Sequence, residues 1–194
     1  MKPEGECFDA TWRARAALRP CSIRDVEAFV TAHYLGRRPG VVTLVLRIDI
    51  DDVPKGMIVF ALPPRETHRR YGGLTWELAR LYLVDALPKN AETWVIGAAL
   101  RYIKRTRPDV LYIVSYADPS VNHDGTIYKA ANFKQDGRTD DERKTPRFDY
   151  VDAETGKHYS RKSHVGDRPV VRRARISKFR YVMSLVRPTP RTDS

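Results

Sequence analysis

The sequence predicts a single mixed α/β layer domain, and three observations carry that prediction. The run from Thr75 to Tyr116 reads strand, helix, strand, a unit that requires parallel neighbours in one sheet. The elements around it follow the order helix, hairpin, strand, helix, strand, helix, strand. Finally, 194 residues with 42% hydrophobic side chains suffice for one well-buried core and are short for two.

Residues 1–20 read as an N-terminal extension. Ser22, with Asp25 three residues on, opens a helix whose apolar stripe is Ile23, Val26, Phe29 and Val30. Gly36 is expected to end it, with His33 and Tyr34 on the last turn. Val41–Ile50 is dense in Val, Ile and Leu, Asp51–Gly56 breaks the run, and Met57–Leu62 resumes it: a hairpin with a loop longer than the tightest turns. Pro63–Gly73 is a polar, basic connector containing Arg65, His68, Arg69, Arg70 and Tyr71. Thr75–Val84 is a third strand, in which Glu77 and Arg80 project from opposite faces and one of the two faces a cleft.

Asn90 can cap a helix over Ala91–Arg105, where Val95, Ala98, Ala99, Tyr102 and Ile103 repeat at helical spacing. Val110–Tyr116 has the continuous apolar character of a strand covered on both faces. Ala117-Asp118-Pro119-Ser120 ends that strand. A short helical segment over Gly125–Asn132 follows, then strand-like pieces at Phe148–Val151, Val170–Val171 and Phe179–Val186. Residues 187–194 read as a flexible tail.

The 35 Lys and Arg against 24 Asp and Glu leave a net charge of +11, which favours a polyanionic partner. Residues 134–194 hold 16 basic and 9 acidic residues, a net of +7, so the C-terminal third is the stronger electrostatic footprint. Cys7 and Cys21 are too few for a disulfide framework and have no metal-binding spacing. No apolar run reaches the ~20 residues of a membrane span and no signal peptide opens the chain, so a soluble cytoplasmic protein is expected.

Three stretches narrow the reading. They are Thr75-Trp76-Glu77-Leu78-Ala79-Arg80-Leu81-Tyr82, Pro88-Lys89-Asn90-Ala91-Glu92-Thr93, and above all Ser115-Tyr116-Ala117-Asp118-Pro119 with its sequel His123-Asp124-Gly125-Thr126-Ile127-Tyr128-Lys129-Ala130-Ala131-Asn132-Phe133. Together they resemble the Mom family of phage DNA-modification proteins, relatives of the GNAT acyltransferases. The resemblance covers roughly residues 20 to 135, and Lys178–Val182 resembles the closing strand of that family. Residues 136–177 match nothing and read as a basic insertion before the last strand.

The resemblance implies a GNAT-like mixed central sheet flanked by helices. It also implies conversion of adenine in double-stranded DNA to N6-carbamoylmethyladenine, which shields phage DNA from host restriction in the bacterial cytoplasm. In such folds the donor enters between diverging parallel strands, its pyrophosphate at the start of the next helix. Here that start is Lys89, Asn90, Ala91, Glu92 and Thr93, which hold an anion or simply cap a helix. The usual glycine-containing loop signature is absent and Glu92 brings a negative charge, so acyl-CoA (acetyl-CoA) is an expectation with an altered site.

His33 with Tyr34 is a functional pair by resemblance, or an extension of the apolar stripe by periodicity. Asp118 is a general base, a metal ligand, or a turn former before Pro119. Ser115 and Tyr116 share its strand end, Tyr128 falls where a GNAT tyrosine acid serves the leaving group, and Arg80 faces the cleft or forms a structural ion pair. His68, His123, His158 and His164 fit no metal-ligand spacing and read as surface or loop residues.

Adenine N6 is a weak nucleophile because its lone pair is delocalised into the ring, and it is paired within the duplex. The base must therefore be flipped into a pocket with aromatic walls, for which Tyr34, Tyr71, Trp76 and Tyr116 are candidates unless they are core. The adduct joins nitrogen to a methylene carbon, which simple acyl transfer does not produce. Iron(II) held by His33, Tyr34 and Asp118 is one way to supply the extra chemistry. Arg172, Arg173 and Arg175, Arg161 and Lys162, Arg37 and Arg38, and Arg69 and Arg70 are the expected phosphate contacts. Two other readings remain open: a conventional GNAT N-acetyltransferase acting on a protein or small amine, and an inactive DNA-binding relative.

Overall fold

A computed structural model describes residues 11–186 other than 142, 157, 160 and 161. The tail read over 187–194, and Arg161, therefore lie outside the described residues. A single helical turn, α1 (Trp12–Arg15), runs directly into strand β1 (Ala16–Pro20), which pairs antiparallel with β2 (Val42–Ile50). The end of the expected N-terminal extension, Ala16–Pro20, is thus part of the sheet, and residues 1–10 of it lie outside the described residues. Its Trp12 is 2% exposed and packs edge-on against Trp94, beside Ala91 and Ile50.

Ser22 and Asp25 form the capping box read from the sequence, over a 3-10 turn at Ile23–Val26 that leads into α2 (Glu27–Ala32). The helix stops at Ala32, not Gly36. His33 takes an extended conformation (φ −62°, ψ 141°), so the His33-Tyr34 pair sits beyond the helix rather than on its last turn. β2 turns into β3 (Val53–Ala61) through Asp51 and Asp52 alone, with φ of 53° and 61°. This is the tightest hairpin class, not the longer loop expected, because Asp tolerates the left-handed region. Pro54, which cannot donate to a ladder, is accommodated where the register shifts by one residue between Ile48 and Asp49.

The expected connector contains a helix, α3 (Arg65–Tyr71), closed by Gly72 at φ 64°. Only Thr67 of its residues is buried, so it carries no apolar periodicity to read. β4 (Thr75–Leu83), α4 (Ala91–Thr106) and β5 (Tyr112–Ala117) form the predicted unit, with β4 and β5 parallel. Asn90 precedes α4 in the left-handed region, at φ 70°, and makes no side-chain cap. α5 (Thr126–Ala130) follows Gly125, whose φ of 81° and contact with Tyr181 leave no room for a Cβ.

β6 (Lys134–Arg138) and β10 (Phe179–Ser184) complete a seven-stranded sheet in the order β1-β2-β3-β4-β5-β10-β6. Between them the chain makes a second sheet from β7 (Phe148–Asp152), β8 (His158–Tyr159) and β9 (Val170–Ala174), in the order β8-β7-β9. The excursion leaves and returns at one point, where the Thr139 amide donates to the Lys178 carbonyl (3.0 Å). On one face of the large sheet, α4 buries Val95, Ile96, Ala99 and Ile103 against Trp76, Leu78 and Ile113. On the other, Val26 of the 3-10 turn and Val30 of α2 pack on Val45, Met57 and Val59. Burying such side chains contributes roughly 1.5–3 kcal/mol each. Among the described residues no helix is long and apolar enough to cross a membrane.

Candidate active site in a cleft through the sheet

The site begins with a fault in β4. Val59 pairs with Arg80 and Phe60 with Leu78, so Ala79 is an extra residue, a β-bulge. The bulge reverses the alternation of the strand. Trp76 and Leu78 face α4 and so do Leu81 and Leu83, while Glu77, Arg80 and Tyr82 share the opposite side. Glu77 and Arg80 therefore line one cleft together, contrary to the alternation expected from sequence.

β4 and β5 pair only from Thr75–Glu77 against Tyr112–Val114. Just beyond, the Ser115 hydroxyl donates to the Leu78 carbonyl (3.0 Å) and pins the point where the strands part. The gap opens into a cavity of about 580 Å³ that reaches both faces of the sheet, from His33 and Tyr34 after α2 to His123 and Tyr128 beside and on α5. Glu77, Arg80, Tyr116 and Lys178 complete its chemically active wall.

Burial pushes the Glu77 carboxyl up to about 7, even though the Arg80 and Lys178 cations oppose the shift. Burial, then the Arg80 charge, then His123, push His33 down to about 4, so its imidazole is neutral at physiological pH. Its Nδ1 accepts the Leu35 amide (3.2 Å), which leaves the proton on Nε2. The Tyr34 ring lies tilted beside it, centroids 4.5 Å apart, and Tyr34 is 55% exposed. Burial raises the Tyr128 phenol to about 12, opposed by its hydrogen bond with Ser115, so the phenol stays protonated. The Arg80 guanidinium donates to the backbone carbonyls of Arg37 (3.2 Å) and Ala79 (2.6 Å), fixing the segment after α2 rather than forming a tight ion pair.

Asp118 stands apart from this wall. Its carboxylate accepts from the Ser120 amide (3.0 Å) and hydroxyl, and meets Lys178 Nζ at 2.8 Å. Against the upward push of partial burial, Lys178 and Ser120 hold it below the usual carboxylate range. It acts on the cleft by anchoring Lys178 and by its charge on His123. The iron trio of His33, Tyr34 and Asp118 does not assemble, because Asp118 is committed to a cation and does not line the cavity with the other two. Among the described residues no three His, Cys, Asp or Glu side chains gather as a metal site.

The start of α4 is poorly furnished for a pyrophosphate. The Ala91 amide donates to the Pro88 carbonyl (3.1 Å), and Ala91 itself is buried with Trp12. Glu92 and Asp85 bring two carboxylates to the cleft wall at this end, while Lys89 and Asn90 are exposed outside it and Thr93 is half-buried. Of the aromatic candidates, Tyr34 and Tyr116 line the cleft. Trp76 is core at 2% exposure, and Tyr71 donates its hydroxyl to Asp136 (2.6 Å).

The sequence reading missed three wall residues, one of them Lys178, which it read only as part of the closing strand. Glu77 lacked a face until the bulge was seen, and His123, read as a loop residue, stacks on Tyr128 at 5.6 Å. The expected phosphate contacts are dispersed. Arg37 lines the cleft, Arg38 pairs with Glu27, Arg70 with Asp136 and Arg175 with Asp149, Arg172 lies over Phe148, and Arg69, Lys162 and Arg173 are exposed.

A sequence model of the Mom protein family matches residues 19–192. The methylcarbamoylase Mom of Escherichia phage Mu is 39% identical over 57 residues, which span 29% of this chain and 24% of the phage protein. The chain thus matches about a quarter of the length of that relative. Among solved structures, a Bacillus subtilis acetyltransferase in complex with CoA is similar with a TM-score of 0.53 at 12% identity, covering 89% of this chain and 99% of that one. The aminoglycoside acetyltransferase AAC(6')-Ib with CoA and kanamycin gives 0.53 at 13% identity, covering 87% and 94%. Spermidine N-acetyltransferase from Vibrio cholerae with CoA and spermine gives 0.52 at 10%, covering 89% and 96%. The fold is that of the GNAT acetyltransferases.

Proposed function

The chain belongs to the Mom protein family, and from that premise we propose that it modifies the exocyclic amine of adenine in duplex DNA to N6-carbamoylmethyladenine. The product shields phage DNA from restriction in the host cytoplasm. One observation carries the reading: a half-buried carboxyl, Glu77, stands on the wall of a cleft where the strands part, among the neutral donors His33 and Tyr128, and desolvation there raises it toward the range that suits proton abstraction.

In this reading the flipped adenine lies against Tyr34 and Tyr116. N6 attacks the methylene carbon of a carboxamidomethyl donor. The carbon–nitrogen bond forms as the bond to the leaving group breaks and that group takes the electron pair. The N6 proton passes to the Glu77 carboxylate, and the Tyr128 phenol protonates the departing anion. Solvent then takes the proton from Glu77 and restores that of Tyr128. His33 offers its Nε2–H to the donor amide oxygen.

Mass spectrometry of nucleosides from plasmid DNA, propagated with and without the protein, tests the proposal. A modified adenosine that depends on Glu77 supports it; unchanged nucleosides with the protein expressed overturn it. The CoA-bound acetyltransferases favour a second reading, acetyl transfer to an amine. With the α4 start covered by Trp12 and faced by two carboxylates, acetyl-CoA is expected to leave the melting temperature unchanged; a rise of several degrees would favour acetylation.

A further inference from the structure

A second cavity, of about 430 Å³, opens beside α3 and shares Glu77, Tyr116 and Lys178 with the cleft. Its wall also holds Arg70, Arg180, Arg143 and Arg147, so five cations face two carboxylates, Glu66 and Glu77. The four arginines are held in pairs by acids that do not line the cavity, and Lys178 is held by Asp118. Arg70 and Arg180 share Asp136 (3.0 and 3.2 Å), and Arg143 and Arg147 share Asp140 (3.5 and 3.3 Å).

The second pair is loosely held. Charge-assisted contacts of this type usually close to about 2.7–2.9 Å, and among the described residues the buried Asp140 Oδ1 has no well-formed hydrogen bond. A guanidinium offers five N–H donors in a planar fork, and one long contact to a shared oxygen leaves most of that fork for another oxyanion. The wall therefore suits a compact anion with two acceptor oxygens next to a group that must reach Glu77.

We propose that this cavity grips the DNA phosphodiester flanking the extruded adenine, with Arg143 and Arg147 as its principal contacts. The inference rests on the adenine reading and deepens it. The site where DNA is held would then be supplied by the excursion between β6 and β10, which delivers both arginines. It would differ from the Arg172-Arg173-Ala174-Arg175 run expected from sequence.

The test uses duplexes carrying one mismatched adenine, where extrusion costs least, with the phosphate on either side of that adenine replaced in turn by a neutral methylphosphonate. Wild-type protein should bind one of these duplexes about tenfold more weakly than the unmodified one, while a methylphosphonate placed several nucleotides away should have little effect. R143A/R147A should lose the same affinity on the unmodified duplex, with a salt slope shallower by about one, as befits a single phosphate, and lose no more on the methylphosphonate. Losses that simply add, or a double variant that binds with unchanged affinity and slope, would overturn the proposal. Because the wild-type methylphosphonate comparison requires no mutation, a misfolded variant does not blunt the test. Wild type that leaves plasmid nucleosides unmodified would strike the adenine reading instead, a separate readout from this binding cycle.

Discussion

Replacing Glu77 by glutamine should stabilise the protein and silence it, and the two effects share one cause. The carboxyl rises from its usual 4.5 to about 7 on folding. Below the lower value both states are protonated and the group costs nothing. Between the two values the unfolded chain ionises while the folded one holds its proton, so stability falls as pH rises, and above the higher value the full penalty applies. At 1.36 kcal/mol per unit that penalty is about 3 kcal/mol. The amide of the Glu77→Gln variant keeps the shape of the carboxyl and never ionises.

Urea unfolding at pH 4.5 should give similar stabilities for the two proteins, whereas at pH 8 the variant should be more stable by about 3 kcal/mol. The wild-type modification rate in single turnover should rise about tenfold between pH 6 and 8, inflecting near 7. The variant should be flat and about 10²–10⁴-fold slower. A stability difference that does not vary with pH would show that Glu77 is solvated, and an activity inflection far from 7 would assign proton abstraction to another group.

His33 should stay neutral between pH 8 and 5, since burial and Arg80 hold it near 4; imidazole nitrogen shifts in NMR check this, and titration near 6.5 would refute it. Trp12→Ala should cost about 3–5 kcal/mol in chemical unfolding, because a side chain 2% exposed and packed on Trp94 belongs to the core rather than to an extension. Ser115→Ala should cost about 1 kcal/mol, as the Leu78 carbonyl loses its partner at the point where the strands diverge. The same variant should also loosen Tyr128, read as a lower phenol-dependent modification rate.

The parallel unit from Thr75 to Tyr116 was legible because a strand, a 3.6-residue periodicity and a second apolar run stand in sequence. α3 was not, because a seven-residue helix with one buried residue leaves no pattern. β1 went unread for a similar reason. Ala16–Pro20 is half-exposed at the sheet edge, and Trp94, the partner of the neighbouring Trp12, lies far along the chain. In the site, Tyr34, Arg80, Tyr116 and Tyr128 were read as cleft candidates and do line the cleft, whereas Asp118, read as a base, a metal ligand or a turn former, accepts from the Ser120 amide and pairs with Lys178. Glu77 depended on the bulge at Ala79, a register event that only pairing with β3 reveals.

The excursion between β6 and β10 begins and ends at a single backbone contact, Thr139 to Lys178. Strand neighbours joined this way can gain or shed residues in the loop at a cost that grows only logarithmically with its length. The framework carrying Glu77 and Tyr128 is therefore insulated from changes in whatever hangs between those strands. Selection can remodel the appendage, exchange it or trim it, without disturbing that framework.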